Sequence, residues 1–422
     1  MIAILKREWK SYFQNITGWL FIAAVLALYG LYFLAYNLRA GYPYVSYTLS
    51  AISFIMLIAV PILTMRSMAE ERHSRTDQLV LTAPVSLGKM IFGKFLAMVG
   101  VFTVAVAVIA VTPLVLAAFG TVPMGENYVA VLGFWLYGCT CIAVGMLASA
   151  LTESQVIAAV VAFAFLFLGY MMNSITGLIG DHLITKVLGA YDLYTPLQSF
   201  MSGCLDLTGV VYFVSVTALC LFLTCQCVQK RRWSMTTKKL TTGMFSVAMI
   251  VVGFAVAVAV NMVVKEMPSS WTAVDATSTK LYSLTDTTKD YVKNLSQDVT
   301  IYVLSSEKSA DSTLAETLQR YEDLSKHLNV VYKDPAKSPN FYQQYTDSAP
   351  SQNSMIVVSD ARSRVVDYSD IYEYSYDYST YSSSVDGYDA EGQLTSALQY
   401  VTKARSRTAG PRPGTRFDLP QH

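Results

Sequence analysis

Gly88-Lys-Met-Ile-Phe-Gly93-Lys94-Phe95 has the spacing of a phosphate-cradling loop, with four residues between two glycines and a lysine after the second. In such a loop the backbone N–H groups close on phosphate oxygens, the lysine adds a charge, and a Ser or Thr hydroxyl ligates magnesium. Phe95 stands where that hydroxyl belongs. The segment also leads into a long apolar run and follows no strand, so it reads as a chance match. No nucleotide site is expected in this chain.

Metal and nucleophile chemistry fare no better. The four histidines, His73, His182, His327 and His422, are far apart in sequence, which argues against a metal site or a histidine-based triad. Six cysteines stand at positions 139, 141, 204, 220, 225 and 227, and five of them lie in or at the end of apolar runs. Both Cys-x-Cys pairs fall in helical segments, where i,i+2 neighbours point apart. They read as small membrane hydrophobes.

The sharpest charge pattern lies in Arg66–Met90. Glu70 and Glu71 stand beside Arg72 and Arg75 at helical spacing, Leu79–Leu81 supply an apolar patch, and Pro84 ends the helix. Taken alone, this is a solvated segment held by i,i+4 ion pairs.

The elements around it are apolar. The chain has 422 residues, is 53% hydrophobic and only 14% charged, against about a quarter charged in an ordinary soluble domain. A membrane helix needs roughly 20 mostly apolar residues. Seven stretches qualify: Thr17–Tyr36, Tyr44–Met65, Phe95–Phe119, Tyr128–Leu151, Gln155–Ile179, Leu207–Val228 and Gly243–Val264. None contains Lys, Arg, Asp, Glu or His. Proton-coupled pumps and intramembrane proteases place such groups at depth, so the spans read as neither.

Lys and Arg are unevenly shared between alternate loops. One set carries 13, at positions 6, 7, 10, 66, 72, 75, 89, 94, 230, 231, 232, 238 and 239; the other carries only Arg39 and Lys186. The richer set is therefore expected to be cytoplasmic. With seven spans, residues 265–402 then lie outside. Residues 1–13 place Ile2, Leu5, Trp9 and Tyr12 at helical spacing among Lys6, Arg7 and Lys10, as in a helix lying in the membrane interface. These charges precede the first apolar run, which reads as a retained anchor and not as a cleaved signal.

Several of these features resemble type-2 ABC transporter permeases. The likeness is carried by Glu70-Glu71-Arg72, Thr76, Leu79, Pro84-Val85-Ser86 and Gly93-Lys94, by the amphipathic start, and by six spans up to Val228. The chain departs from the family pattern at Arg75, where Gly is usual, and at Gln78, where Glu is usual. The resemblance implies a six-helix permease bundle over residues 1–233 and a partner ABC ATPase subunit that holds ATP and magnesium. It also implies a second permease copy or homologue, no cofactor in this chain, and export as the usual direction. It casts Glu70, Glu71, Arg72, Thr76, Leu79 and Pro84 as ATPase-coupling residues.

Residues 234–264 then form a cytoplasmic linker and the seventh span. Residues 265–402 carry 11 basic and 20 acidic residues and read as an extracytoplasmic α/β domain. Thr285 or Asp286 caps a helix running through Leu295. Strands are expected at Val299–Leu304, Asn329–Tyr332 and Met355–Ser359, and a helical stripe at Leu314, Leu318, Tyr321, Leu324 and Leu328. This stretch resembles the GldG-like auxiliary domain of gliding-motility-type ABC systems, whose permease is GldF-like. The likeness rests on Tyr282-Ser-Leu-Thr-Asp-x-Thr-Lys, Val299-Thr-Ile-Tyr-Val and Glu391-Gly-Gln-Leu-Thr-Ser-Ala. It implies a fusion of permease and auxiliary protein.

The Tyr-rich tract between Asp367 and Tyr388 reads as an edge strand and loop in preference to an aromatic glycan- or peptide-binding surface. Residues 403–422 are basic and rich in Pro and Gly, and are expected to be a disordered, frameshifted or truncated tail on a partial domain. The expected class is thus a multi-pass membrane protein of the cytoplasmic membrane with the lipid bilayer as a partner, no nucleic acid, and no enzymatic site. The competing reading is a seven-span sensor or scaffold with an external ligand domain.

Overall fold

The computed structural model describes residues 2–74, 86–179, 189–231, 240–265, 267, 273–275, 284–306, 309–359, 362–377 and 382–403. The chain divides into two compact units, Met1–Ser283 and Leu284–His422.

The first unit is helical. Helix α1 (Ile2–Gln14) is followed by α2 (Ile16–Phe33), which ends in a π-helical turn, Leu34–Arg39. Trp9, Phe13 and Trp19 pack together at the corner between them, Trp19 edge-on to Phe13, and the Trp19 Nε1–H donates to the Phe13 carbonyl at 2.9 Å. Trp9 also lies over Gly100 of α5 (Leu87–Ile109): a Cβ there would fall 1.7 Å from the indole ring. Helix α3 (Ser46–Thr64) leads through Met65 into α4 (Arg66–His73). After α5 come α6 (Thr112–Ala117), α7 (Met124–Leu151) and α8 (Gln155–Ile179), and then a short helix, α9 (Tyr194–Met201). Strand β1 (Cys204–Asp206) precedes α10 (Leu207–Arg231); α11 (Leu240–Lys265) and strand β2 (Ala273–Asp275) complete the unit.

Among the described residues, six helices are long and apolar enough to cross a membrane: Ile16–Arg39, Ser46–His73, Leu87–Ala117, Met124–Leu151, Gln155–Thr176 and Leu207–Gln229. Ala248–Val264 adds a shorter apolar stretch within α11. Several of their polar side chains find partners in other helices or in the connecting loops, as polar groups out of water need hydrogen bonds. Asn37 donates to the carbonyls of Tyr42 and Tyr44 and accepts from Thr48, while Asn127 accepts from Val45 N–H at 2.6 Å. Thr140 on α7 meets Thr217 on α10 at 3.0 Å.

The third span begins eight residues before the Phe95 expected from hydropathy, because α5 starts at Leu87 and takes in Lys89 and Lys94. It is also not continuous to Phe119. The chain turns at Ala110–Val111 and resumes at Thr112, with Pro113 in the first turn of α6, where its missing N–H is no loss.

The second unit holds a four-stranded sheet in the order β4-β3-β5-β6: β3 (Val299–Val303), β4 (Leu328–Tyr332), β5 (Met355–Ser359) and β6 (Ser363–Val366). β3 and β4 run parallel, with Val299 opposite Leu328; the other pairs are antiparallel. Helices α12 (Asp286–Lys293), α13 (Ser312–Leu324) and α14 (Ala390–Thr402) supply Val292, Leu314, Leu318, Tyr321, Leu394 and Leu398 to its core. The helical stripe stops at Leu324. Ser325 is extended, and Leu328 opens β4 instead of closing the stripe. The Tyr-rich tract forms a two-stranded antiparallel hairpin, β7 (Tyr372–Asp377) with β8 (Ser382–Tyr388). The tail beyond Lys403 lies outside the described residues.

Candidate functional site

Helix α4 is fastened at three places. At its start, the Ser149 hydroxyl at the end of α7 accepts from the backbone N–H of Met68 and of Ala69, both at 3.1 Å, and donates to the Met65 carbonyl at 3.0 Å. On one flank, Lys94 of α5 is only 3% exposed. Its Nζ donates to the Ser67 carbonyl at 2.8 Å and lies 2.5 Å from the Glu71 carboxylate. On the other flank, Arg72 pairs with Glu153, in the turn between α7 and α8, at 2.8 Å.

Two further cations complete the network. Arg66 grips both oxygens of Glu70, at 2.7 and 2.8 Å, and reaches the Thr17 hydroxyl of α2 at 3.2 Å. Arg7 of α1 binds Glu8 at 2.7 Å and stands 3.8 Å from Glu71. The hydrogen bond to Glu8 raises the pKa of the Arg7 guanidinium, against the opposing effect of burial. Arg7, Arg66, Lys94, Glu8, Glu70 and Glu71 line one cleft of about 520 Å³, in which charges balance.

This geometry joins four helices through one short one. An isolated surface ion pair contributes about 0–1 kcal/mol. A buried charge that loses its partner costs roughly 3–5 kcal/mol. Lys94 is the buried member here, so its contacts to Glu71 and Ser67 dominate the network. A force applied to α4 reaches α5 through Lys94, α7 through Ser149, and the α7–α8 turn through Arg72.

Of the coupling residues expected from sequence, Glu70, Glu71 and Arg72 lie together in this network: Glu71 and Arg72 pair with other elements or turns, and Glu70 with Arg66 of α4 itself. Thr76, Leu79 and Pro84 lie outside the described residues. Sequence reasoning gave no coupling role to Lys94, Arg66, Arg7, Glu153 or Ser149. The i,i+4 spacing of Arg66 and Glu70 was a usable signal, as was Lys94 standing as the last charge before an apolar run. Gly88, Gly93 and Lys94 all lie within helix α5, so no phosphate-cradling loop forms there.

Residues 39–228 match a family model described as ABC-2 family transporter protein. That stretch is similar to ABC-2 transporter membrane domains. The match supports a permease component of an ABC transporter, in a multi-pass membrane protein. Within the matched residues fall α4, Lys94 and Ser149; α1, α11 and β2 lie outside them. Residues 278–371 match a second family model, described as a domain of unknown function (DUF7088). Neither the curated proteins nor the solved structures contain a match.

Two of the three segments that carried the resemblance of the second unit meet at Thr285 and Glu391. Thr285 caps α12 and donates through both its N–H, at 2.8 Å, and its hydroxyl, at 2.6 Å, to the Glu391 carboxylate of α14. The Tyr321 hydroxyl bridges to the Glu391 carbonyl and to Thr395. Helix α14 lies beyond the matched residues, yet Ala390, Leu394, Ala397, Leu398 and Val401 are fully buried. It therefore completes this unit's core.

Proposed function

We propose that this chain is the permease subunit through which a separate ABC ATPase drives substrate export across the cytoplasmic membrane. ATP and magnesium are held by that partner. The observation that carries the reading is the fastening of α4 to α5, α7 and the α7–α8 turn by Lys94, Ser149 and Arg72. A helix gripped on three sides moves with the bundle and does not swing free. ATP-driven closure against α4 and the residues after it, among them Thr76, Leu79 and Pro84, rocks these helices together.

In this reading the α4 end of the bundle is cytoplasmic, as the Lys and Arg bias indicates. Helix α11 crosses as a seventh span. Residues from 265 onward form an extracytoplasmic auxiliary domain of the GldG-like kind, fused to a GldF-like permease. A second permease copy or homologue completes the translocation path.

The test is purification of the chain from its own membranes in mild detergent, with mass spectrometry of what accompanies it. A stoichiometric ATP-binding-cassette subunit is expected, and Glu70→Lys should weaken its retention while leaving the Glu71–Lys94 pair in place. If no such subunit is captured even after crosslinking, the coupling role of α4 falls.

A further inference from the structure

Strand β1 is part of the start of α10. Asp206 is both its last residue and the cap of the helix, accepting from Thr208 N–H at 2.8 Å. Gly203, at φ +84°, turns the chain from α9 into β1, a conformation costly for a side-chain-bearing residue. Cys204 is 1% exposed. The α9–β1 segment is thus built into the bundle, with Phe200 fully buried between Gly133 and Gly209.

The segment that follows the matched ABC-2 residues returns to this place. Helix α11 lies against α10: the Asn261 side chain donates to the Ser215 hydroxyl at 2.7 Å, and Gly253 faces Phe222, where a Cβ would come within 3.0 Å of the ring. Moving from position 261 to 253 on α11 accompanies moving from 215 to 222 on α10, so the helices are antiparallel. The end of α11 then stands near the start of α10. There β2 adds to β1 in antiparallel register: Cys204 opposite Asp275, Leu205 opposite Val274, and Asp206 opposite Ala273. So short a ribbon would not persist alone; the helices on either side hold it.

We infer that β2 is a built-in joint, which fixes the root of the C-terminal unit to the segment that starts α10. Only residues 276–283 separate β2 from Leu284, where that unit begins. Any displacement of α9–β1 carries the root with it. The pairing does not depend on the transport reading; its use in an ATP cycle does.

Native Cys204 makes the joint testable in the full-length chain. The other five cysteines are changed to alanine and Asp275→Cys is introduced. After mild oxidation, or treatment with a short bis-methanethiosulfonate, the link is located by mass spectrometry of proteolytic peptides. The new thiol should link to Cys204 at least about tenfold faster than one introduced by Val274→Cys, because neighbours along a strand point to opposite faces. A second pair, Leu205→Cys with Val274→Cys in a Cys204→Ala background, should also link. Equal rates for Asp275→Cys and Val274→Cys, or no link in either pair, overturn the joint. In a complex with the ATPase trapped by ATP and vanadate, the yield should be unchanged, and loss of the link there overturns it as well. A chain that links but brings down no ATPase keeps the joint and removes the permease reading.

Discussion

The ammonium of Lys94 lies 2.5 Å from the carboxylate of Glu71, 23 positions away in sequence and on a different helix. Lys94 is almost wholly buried, and its other contact is a backbone carbonyl. Removing Glu71 strands the lysine, which costs on the order of 3–5 kcal/mol. Replacing both members with apolar residues removes the stranded charge as well. Glu71→Ala should therefore lower the thermal stability of the detergent-purified chain more than Lys94→Met with Glu71→Ala does. A double-mutant cycle with additive effects would show that the pair is not coupled.

Charge reversal separates the two acidic residues of α4. Glu70→Lys releases Arg66 from a bidentate grip but leaves Lys94 paired, whereas Glu71→Lys sets two ammonium groups against each other in a buried place. The first should reach the membrane in normal amount, with a melting temperature close to that of the unaltered chain. The second should be recovered in much lower yield. Equal recovery of the two would mean that Lys94 finds another partner or is hydrated.

Trp9 and Gly100 set the docking of α1. A Cβ at position 100 would overlap the indole, and overpacking of this kind costs about 1–3 kcal/mol. Gly100→Ala should loosen α1, seen as faster hydrogen exchange over residues 2–14 and a shifted tryptophan emission. Trp9→Leu in the same chain should restore slow exchange. Unchanged exchange in Gly100→Ala would show that α1 is held by its charges and not by this ring.

Thr285 and Glu391 lie 106 residues apart; Thr285 caps α12 and ties that cap to α14 by donating to the Glu391 carboxylate. Loss of a threonine cap costs about 1 kcal/mol. Thr285→Ala and Glu391→Ala should each make residues 284–403 more susceptible to protease in urea, and the double variant should be little worse than either single one. Fully additive losses would show that the two residues do not act as one unit.

Much of this was legible in the sequence, and the physical reason differs by element. Of the seven apolar runs, six mark helices long and apolar enough to cross a membrane and the last marks a shorter apolar stretch within α11, and the acid–base spacing at Arg66–His73 marked α4. Thr285, Val299–Val303 and Met355–Ser359 were readable from capping and alternation. Lys94 was left outside its helix because hydropathy treats a lysine as solvated, and its partners, Glu71 and Ser67, are known only once α4 and α5 are packed. The β1–β2 register, the short helix α9 and the contact of Trp9 with Gly100 all arise from meetings of distant segments. No local periodicity announces such meetings. Leu328 continued the helical spacing of α13 and still became a strand, because its pairing with Val299 outweighs a local pattern.

Asp367 gives the second unit a defined acid limit. Burial favours its neutral form, but Ser351 and Ser369 each donate both a backbone N–H and a hydroxyl to the carboxylate, at 2.8–3.2 Å. These bonds outweigh the burial and hold the pKa at about 2, below the ordinary 3.8. A carboxyl that is more acidic folded than unfolded stabilises the fold above its unfolded value. That contribution fades as the pH falls from about 4 through 2. Asp367→Asn should therefore lower the urea midpoint for protease protection of residues 284–403 at pH 6. The gap between the two chains should narrow when the measurement is repeated near pH 2.5 with an acid-active protease. A gap that stays constant between the two pH values would mean that the serine donors recognise the shape of the side chain and not its charge.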